Sequence, residues 1–373
     1  MKTMSKRRWL AWLLLALAAM ATAILVGAPT SQAKVTNHQL AQRVKKMTLR
    51  QKIGQMYLAP AVDQQTAIKA EQEYQLGGWL LFGSDFAGES KDGFVAKLKA
   101  EQAASKLPLL IATDQEGGSV SRLDANPAIG GSSHPSPQDL LKAGGEKQLV
   151  KQTGATAKQL RQLGINWNLA PVADVTSDQQ SFIYDRTLGL PAKQAAPLVA
   201  KEVKAIQGQR VAASLKHFPG YGSAPDTHTG TGTSNQSLAT YQQQEWLPFK
   251  AGIKAGADSV LVAHVVMTAV DPNLPASLSP KVHRLLRRDL HFRGVIVTDD
   301  LSMGAITKFA QQSKQPVDVL AVKAGNDMLI ASDYATGIDQ VVAAVKQGEI
   351  KESQINQSVL RILKLKRKLG LLK

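Results

Sequence analysis

A barrel of eight parallel strands wrapped by helices is the fold this sequence predicts, and three observations predict it. Eight short, apolar, β-rich runs are spread along the 373 residues. Longer amphipathic segments separate them, and glycines stand where those segments end, just ahead of the next run. Strands covered on both faces read as continuous apolar runs rather than as alternating ones. Eight such runs alternating with helices over about 340 residues argue for a single α/β domain, a (β/α)8 TIM barrel. With 44% hydrophobic residues the chain can fill one large core.

The N-terminal segment reads as something other than barrel. Lys2, Lys6, Arg7 and Arg8 form a basic start, Trp9 to Val26 is apolar, and Ser31-Gln32-Ala33 is a small-x-small exit. That is the pattern of a cleavable signal peptide, 1–33, followed by a catalytic domain, 34–373. An uncleaved anchor is the alternative, since the apolar run is nearly long enough to span a bilayer. The chain has no cysteine, which excludes a lipid attached at this exit and stabilisation by disulfides.

The eight runs are Ile53–Leu58, Gly78–Phe82, Leu109–Thr113, Ile165–Pro171, Ala212–His217, Ser259–His264, Val295–Thr298 and Met328–Ala331. Between them lie helix-like stretches such as Gln138–Leu163, Ala195–Gln207, Leu247–Ala255 and Pro280–Leu290. Gly164, Gly256, Gly294 and Gly325 are placed to end helices in a left-handed cap. The other arrangement, an open doubly wound sheet, normally carries a glycine-rich phosphate loop. Here only Gly220-x-Gly222 and Gly230-x-Gly232 occur, among acids and histidines. The tail, Ser353–Leu372, reads as a basic amphipathic helix packed on the core.

Net charge is +16, and removal of the four basic residues ahead of the apolar run leaves about +12. For an exported protein such a surface suits anionic wall polymers, so wall association is an expected partnership. Nucleic acid is not: aromatics are only 5%, and the basic residues are scattered over helices rather than interleaved with stacking rings. The protein is expected to be secreted or wall-associated and to act as a monomer.

In such a barrel the chemistry gathers where strands end at their C-terminal side. The third run is followed by Asp114-Gln115-Glu116-Gly117-Gly118 and the fourth by Ala173-Asp174. The fifth ends in Lys216-His217, with Asp226-Thr227-His228 shortly after. The sixth ends at His264 and the seventh at Asp299-Asp300. Ionisable residues thus cap five strands on one rim. Asp299, at the tip of a buried strand, is a candidate nucleophile. Asp300 points the other way by strand alternation and suits a helix cap near Ser302. Asp226 and His228, two apart, share a face in an extended segment, where a carboxylate fixes the tautomer of an imidazole and makes it a general acid. A plain loop salt bridge, or a metal site with His217 and His264, are the other readings of the same residues.

Together these motifs resemble a known family. KHFPGYGSAPDTH (216–228), VTDDLSM (297–303), DQEGGSVSRL (114–123), GINWNLAPVADV (164–175) and AHVVMTAVDPNLPASLSP (263–280) look like the β-N-acetylhexosaminidases of glycoside hydrolase family 3. The resemblance runs in order over most of the chain after residue 33. It implies Asp299 as nucleophile, and Asp226 with His228 as an Asp-x-His acid/base dyad in place of a carboxylic acid. It also implies substrate contacts from Asp114, Arg122, Arg186, Lys216 and His217. The substrate implied is an oligosaccharide ending in β-linked N-acetylglucosamine, cleaved with retention, with no cofactor and no metal. Two departures matter: Ser119 stands where many relatives have arginine, and the segment from Lys216 to Asp226 is one residue shorter than usual. A phosphorylase on the same intermediate, a broader β-glycosidase, substrate-assisted hydrolysis and a non-catalytic wall-binding protein are the competing functions.

Overall fold

A computed structural model describes residues Val35 to Leu372; the expected signal segment lies outside these. Eight parallel strands close into a barrel. They are β1 (Tyr57–Pro60), β2 (Gly78–Leu81), β3 (Leu110–Thr113), β4 (Trp167–Asn168), β5 (Ala212–Phe218), β6 (Ser259–Val262), β7 (Val295–Asp300) and β8 (Met328–Ile330). Each pairs with its sequence neighbours, and β1 closes the ring on β8. Helices such as Ala192–Gln207 and Trp246–Lys254 return the chain between strands, and Tyr334–Lys346 follows the last of them. The expected barrel is the one observed.

Why the strands read as unbroken apolar runs is plain from their surroundings. Every residue of β2, β3, β5, β6 and β8 is buried, because side chains pointing inward fill the barrel and those pointing outward pack under the helices. Each fully buried Leu, Ile or Val contributes about 1.5–3 kcal/mol relative to leaving it exposed. Inside, the Trp167 indole donates to Ser259 Oγ at 2.9 Å, so even this polar edge is satisfied.

Three local expectations are corrected. The first run, Ile53–Leu58, starts as helix: Thr48 and Gln51 form a reciprocal capping box, and residues Leu49–Gly54 follow it as a helix, so β1 begins only at Tyr57. The fourth run forms a strand of just two residues. There the side chains of Asn166 and Asn168 bond the backbone near β3: Asn166 accepts from Ile111 N at 3.0 Å, and Asn168 both accepts from Gln115 N and donates to its carbonyl. Gly164, Gly256 and Gly325 do take left-handed conformations, but Gly294 does not. Its hydrogen in place of a side chain serves close packing instead, since a Cβ there would fall 2.3 Å from the Asp258 carbonyl. The long helix Pro137–Leu163 breaks at Gly144 and Gly145, and the tail helix runs Glu352–Lys368 with Ile355, Val359 and Ile362 in the core.

Candidate active site

Above the C-terminal rim lies a cavity of about 390 Å³, within the usual range for a small-ligand site. Its walls bring together Asp114, Arg122, Arg186, Lys216, His217, His228 and Asp299. Seven of the eight residues expected from sequence therefore meet in one place. The eighth, Asp226, stands behind His228 rather than in the wall.

The dyad is built by a tight turn. Asp226 Oδ1 accepts from the backbone N–H of His228 at 2.9 Å and lies 2.6 Å from its Nδ1, so the ring proton on Nδ1 points at the carboxylate. That leaves Nε2 for the cavity. The contact comes from this Asp-turn, not from the shared face of an extended stretch as the sequence suggested. The segment is held from outside by the first turn of helix Gly304–Ser313, which follows β7. Gly304 N donates to the His228 carbonyl at 2.9 Å and Ala305 N to that of Thr227 at 3.1 Å. Free N–H groups at a helix start thus fix the height of His228. A Cβ on Gly304 would fall 2.7 Å from the His228 carbonyl, so only glycine admits the contact.

Asp299, the last residue but one of β7, stands among imidazoles. Burial pushes its carboxyl up, but His264, His217, His228 and the Asp300 N–H outweigh burial and hold it below the ordinary carboxylate range. It is ionised at neutral pH, with Oδ1 accepting from Asp300 N at 3.0 Å. Asp300 also borders the cavity, contrary to the expected alternation. Its carboxylate closes a turn onto Ser302 N at 2.8 Å and does not cap the helix, whose N-cap, Met303, makes no side-chain bond.

Opposite stands an ionic network. Lys216, buried, bonds Asp114 and lies 2.6 Å from Glu116. Arg186 grips Glu116 with two bonds, Nε at 2.9 Å and Nη2 at 2.8 Å, and its Nη2 also reaches His217 Nε2 at 3.1 Å. Burial pushes the Glu116 carboxyl up, yet Lys216 and Arg186 outweigh it and hold it well below the usual range. Asp114 and Arg122 are the more open members, 3.9 Å apart, and Arg122 lies over the Phe82 ring at 5.7 Å. The buried Arg122 Nε–H has no hydrogen-bond partner among the described residues. Such an array of fixed donors and acceptors suits sugar hydroxyls.

Residues 48–365 match the model described as "Glycosyl hydrolase family 3 N terminal domain". This chain belongs to glycosyl hydrolase family 3. Beta-hexosaminidase A of Pseudoalteromonas piscicida is 30% identical over 79% of this chain and 54% of its own length. A beta-hexosaminidase of Stenotrophomonas maltophilia is 36% identical over 63% of this chain and 70% of its own. Among solved structures, a glycoside hydrolase family 3 beta-N-acetylglucosaminidase from Paenibacillus sp. superposes with a TM-score of 0.80 at 35% identity, covering 87% of this chain and 63% of that one. The chain thus spans about half the length of the first relative and under two thirds of the Paenibacillus chain.

This family 3 site includes three residues, Glu116, Asp174 and His264, that the sequence did not mark as catalytic or substrate-binding. Glu116, inside the Asp114 motif, is the hub of the ion network, but its partners lie 70 and 100 positions away and no local signal marks it. Asp174 and His264 were visible as rim residues. Asp174 accepts from His217 N at 2.8 Å, from Tyr221 N at 2.9 Å and from His217 Nδ1 at 2.7 Å. His264 donates Nε2–H to the Asp300 carbonyl at 2.9 Å and takes Ser277 Oγ–H on Nδ1 at 2.7 Å. Burial keeps its ring below the ordinary histidine range and therefore neutral. With every ring nitrogen of His217 and His264 engaged, the metal reading loses its ligands. Ser119 is exposed at the tip of the hairpin Gln115–Ser121 and lies outside the cavity wall, beside the wall residue Val120.

Proposed function

We propose that this chain is a retaining exo-β-N-acetylglucosaminidase acting on terminal β-linked N-acetylglucosamine of wall-derived or chitin-type oligosaccharides. One observation carries the reading: an ionised carboxylate, Asp299, and an imidazole oriented by a carboxylate, His228 with Asp226, line the same cavity. The names of its relatives, beta-hexosaminidases and a beta-N-acetylglucosaminidase, support the substrate class.

In this mechanism Asp299 attacks the anomeric carbon while His228 Nε2–H gives its proton to the departing glycosidic oxygen. A covalent glycosyl-enzyme forms. His228, now neutral, takes a proton from water as that water attacks the anomeric carbon, and the C–O bond to Asp299 breaks. Two inversions leave the configuration retained. Lys216, Arg186, Arg122 and Asp114 hold the sugar hydroxyls and orient the ring, with His217, fixed between Asp174 and Arg186, as part of the wall the sugar packs on. No step calls for a metal or a cofactor.

A panel of chromogenic β-glycosides tests the substrate class. The N-acetylglucosaminide is expected to be turned over faster than the glucoside by more than about 10-fold, because a site that bonds a polar substituent rejects the analogue lacking it. Equal or faster glucoside turnover contradicts the reading. Products formed with and without phosphate separate hydrolysis from phosphorolysis.

The signal segment, export and wall association belong to the same proposal. Support for the last comes from a cleft at the opposite end of the barrel, where Arg293, Arg361, Lys364 and Lys368 surround the single acid Asp258. Protein recovered from culture medium and from salt-washed walls is expected to begin at Lys34. Recovery only with residues 9–26 retained in membranes contradicts cleavage.

A further inference from the structure

The turn that carries the dyad rests on a buried carboxyl which the reaction does not use. Glu245, in the helical turn Tyr241–Glu245, is 4% exposed. Its side chain lies against Gly220 and Gly222, which open the loop leading to Asp226 and His228. A Cβ on Gly220 would fall 2.8 Å from Glu245 Oε2, and one on Gly222 would fall 3.2 Å from Oε1 and 2.3 Å from Gln236 Nε2. The next residue, Trp246, donates its indole N–H to the Pro219 carbonyl at 3.1 Å. Glu245, Gln236 and Trp246 thus form a cradle under Pro219–Gly222.

No cation is ion-paired with Glu245 among the described residues, and its Oε2 has no hydrogen-bond partner. The titratable groups facing it are Asp174, from the loop after β4, and Tyr241 of its own turn. Burial first, then Asp174, push its carboxyl up to about 8, against the Gln236 amide beside it. At neutral pH it is therefore an uncharged carboxyl. Asp174 is the same residue that anchors His217 and Tyr221, so a charge on Glu245 opposes an anion already committed to the site.

We propose that Glu245 is a positioning residue for the acid/base dyad: packed under Gly220 and Gly222, its carboxyl sets the reach of His228. A negative charge in that cradle loosens the turn. This rests on His228 being the acid/base. The sign follows from linkage. While the carboxyl is protonated in folded and unfolded chains alike there is no penalty. The penalty grows as pH climbs past the ordinary carboxylate range and is complete above about 8, where a buried charge without a partner stands beside Asp174.

The test is kcat/KM against pH for wild type, Glu245→Gln and Glu245→Ala, on one glycoside with a poor leaving group and one with an activated leaving group, beside His228→Ala. Glu245→Gln keeps the uncharged shape, so it is expected to retain neutral-pH turnover and to lose less activity than wild type above pH 8, beyond the fall that the shared general acid imposes on both. Glu245→Ala is expected to lose about 10-fold or more on the poor leaving group and less on the activated one, since the defect is in proton delivery. An unmoved alkaline limb in Glu245→Gln overturns the proposal, as does an equal loss on both substrates in Glu245→Ala. Should Glu245→Ala fail to fold, the limb of Glu245→Gln decides alone. His228→Ala separates the two ideas: its indifference to the leaving group overturns the acid/base reading, whereas a normal leaving-group effect with an unmoved limb overturns only the cradle.

Discussion

Asp299→Ala is expected to abolish turnover, with kcat/KM falling by on the order of 10⁴ or more, the scale seen when a residue of a covalent-catalysis set is removed. The folded protein is expected to survive the change. Removing this carboxylate leaves its neighbour His264 held on both ring nitrogens, by Ser277 and the Asp300 carbonyl. Asp300 cannot take over, since its own carboxylate is turned onto Ser302 N. Wild-type activity has a matching pH signature. Because the imidazoles around Asp299 hold it below the usual carboxylate range, the nucleophile stays ionised, and activity that depends on it is lost only as pH falls through that depressed value. Steady-state kinetics on purified protein, with circular dichroism as a folding control, measure both effects.

His228→Ala is the second large effect. Loss of a general acid and base slows turnover by about 10²–10⁴-fold, and the loss is expected to shrink for an aryl leaving group that departs without a proton. Asp226→Asn belongs to the same series and is expected to be milder. An amide oxygen still accepts the His228 Nδ1–H now held at 2.6 Å, but it no longer offsets the positive charge of the imidazolium. A His228→Ala variant with full activity on a poor leaving group contradicts the assignment.

Much of the site was legible because a barrel converts sequence order into one rim: whatever follows a strand faces the same cavity. That logic reached Asp114, Lys216, His217, His228 and Asp299 from their place after β-rich runs alone. Arg122 and Arg186 came only through the family resemblance, for they arrive on loops whose path no periodicity foretells. Glu116 lay on the same rim and in the same motif but drew no role from either. It looks like one more acid in a motif until the fold brings Lys216 and Arg186 onto it. Removing one partner of so buried a network costs about 3–5 kcal/mol, which makes it as much a foundation as a binding wall.

The misread elements have equally local causes. The capping box at Thr48 and Gln51 is a helix signal that outweighs the apolar run it precedes. The shortness of β4 follows from asparagine side chains imitating a backbone ladder, which hydrophobic pattern does not reveal. Asp299 and Asp300 were the hardest pair. Alternation assigns them to opposite faces, yet the pairing of β7 with β8 shifts register between Val297 and Asp300, and both come to border the cavity.

Which carboxylate of that pair bonds the sugar can be read directly. A mechanism-based fluorosugar, which forms the glycosyl-enzyme but slows its breakdown, traps the nucleophile for peptide mass spectrometry. A single label on Asp299 is expected. A label on Asp300, or inactivation with no covalent adduct, contradicts it.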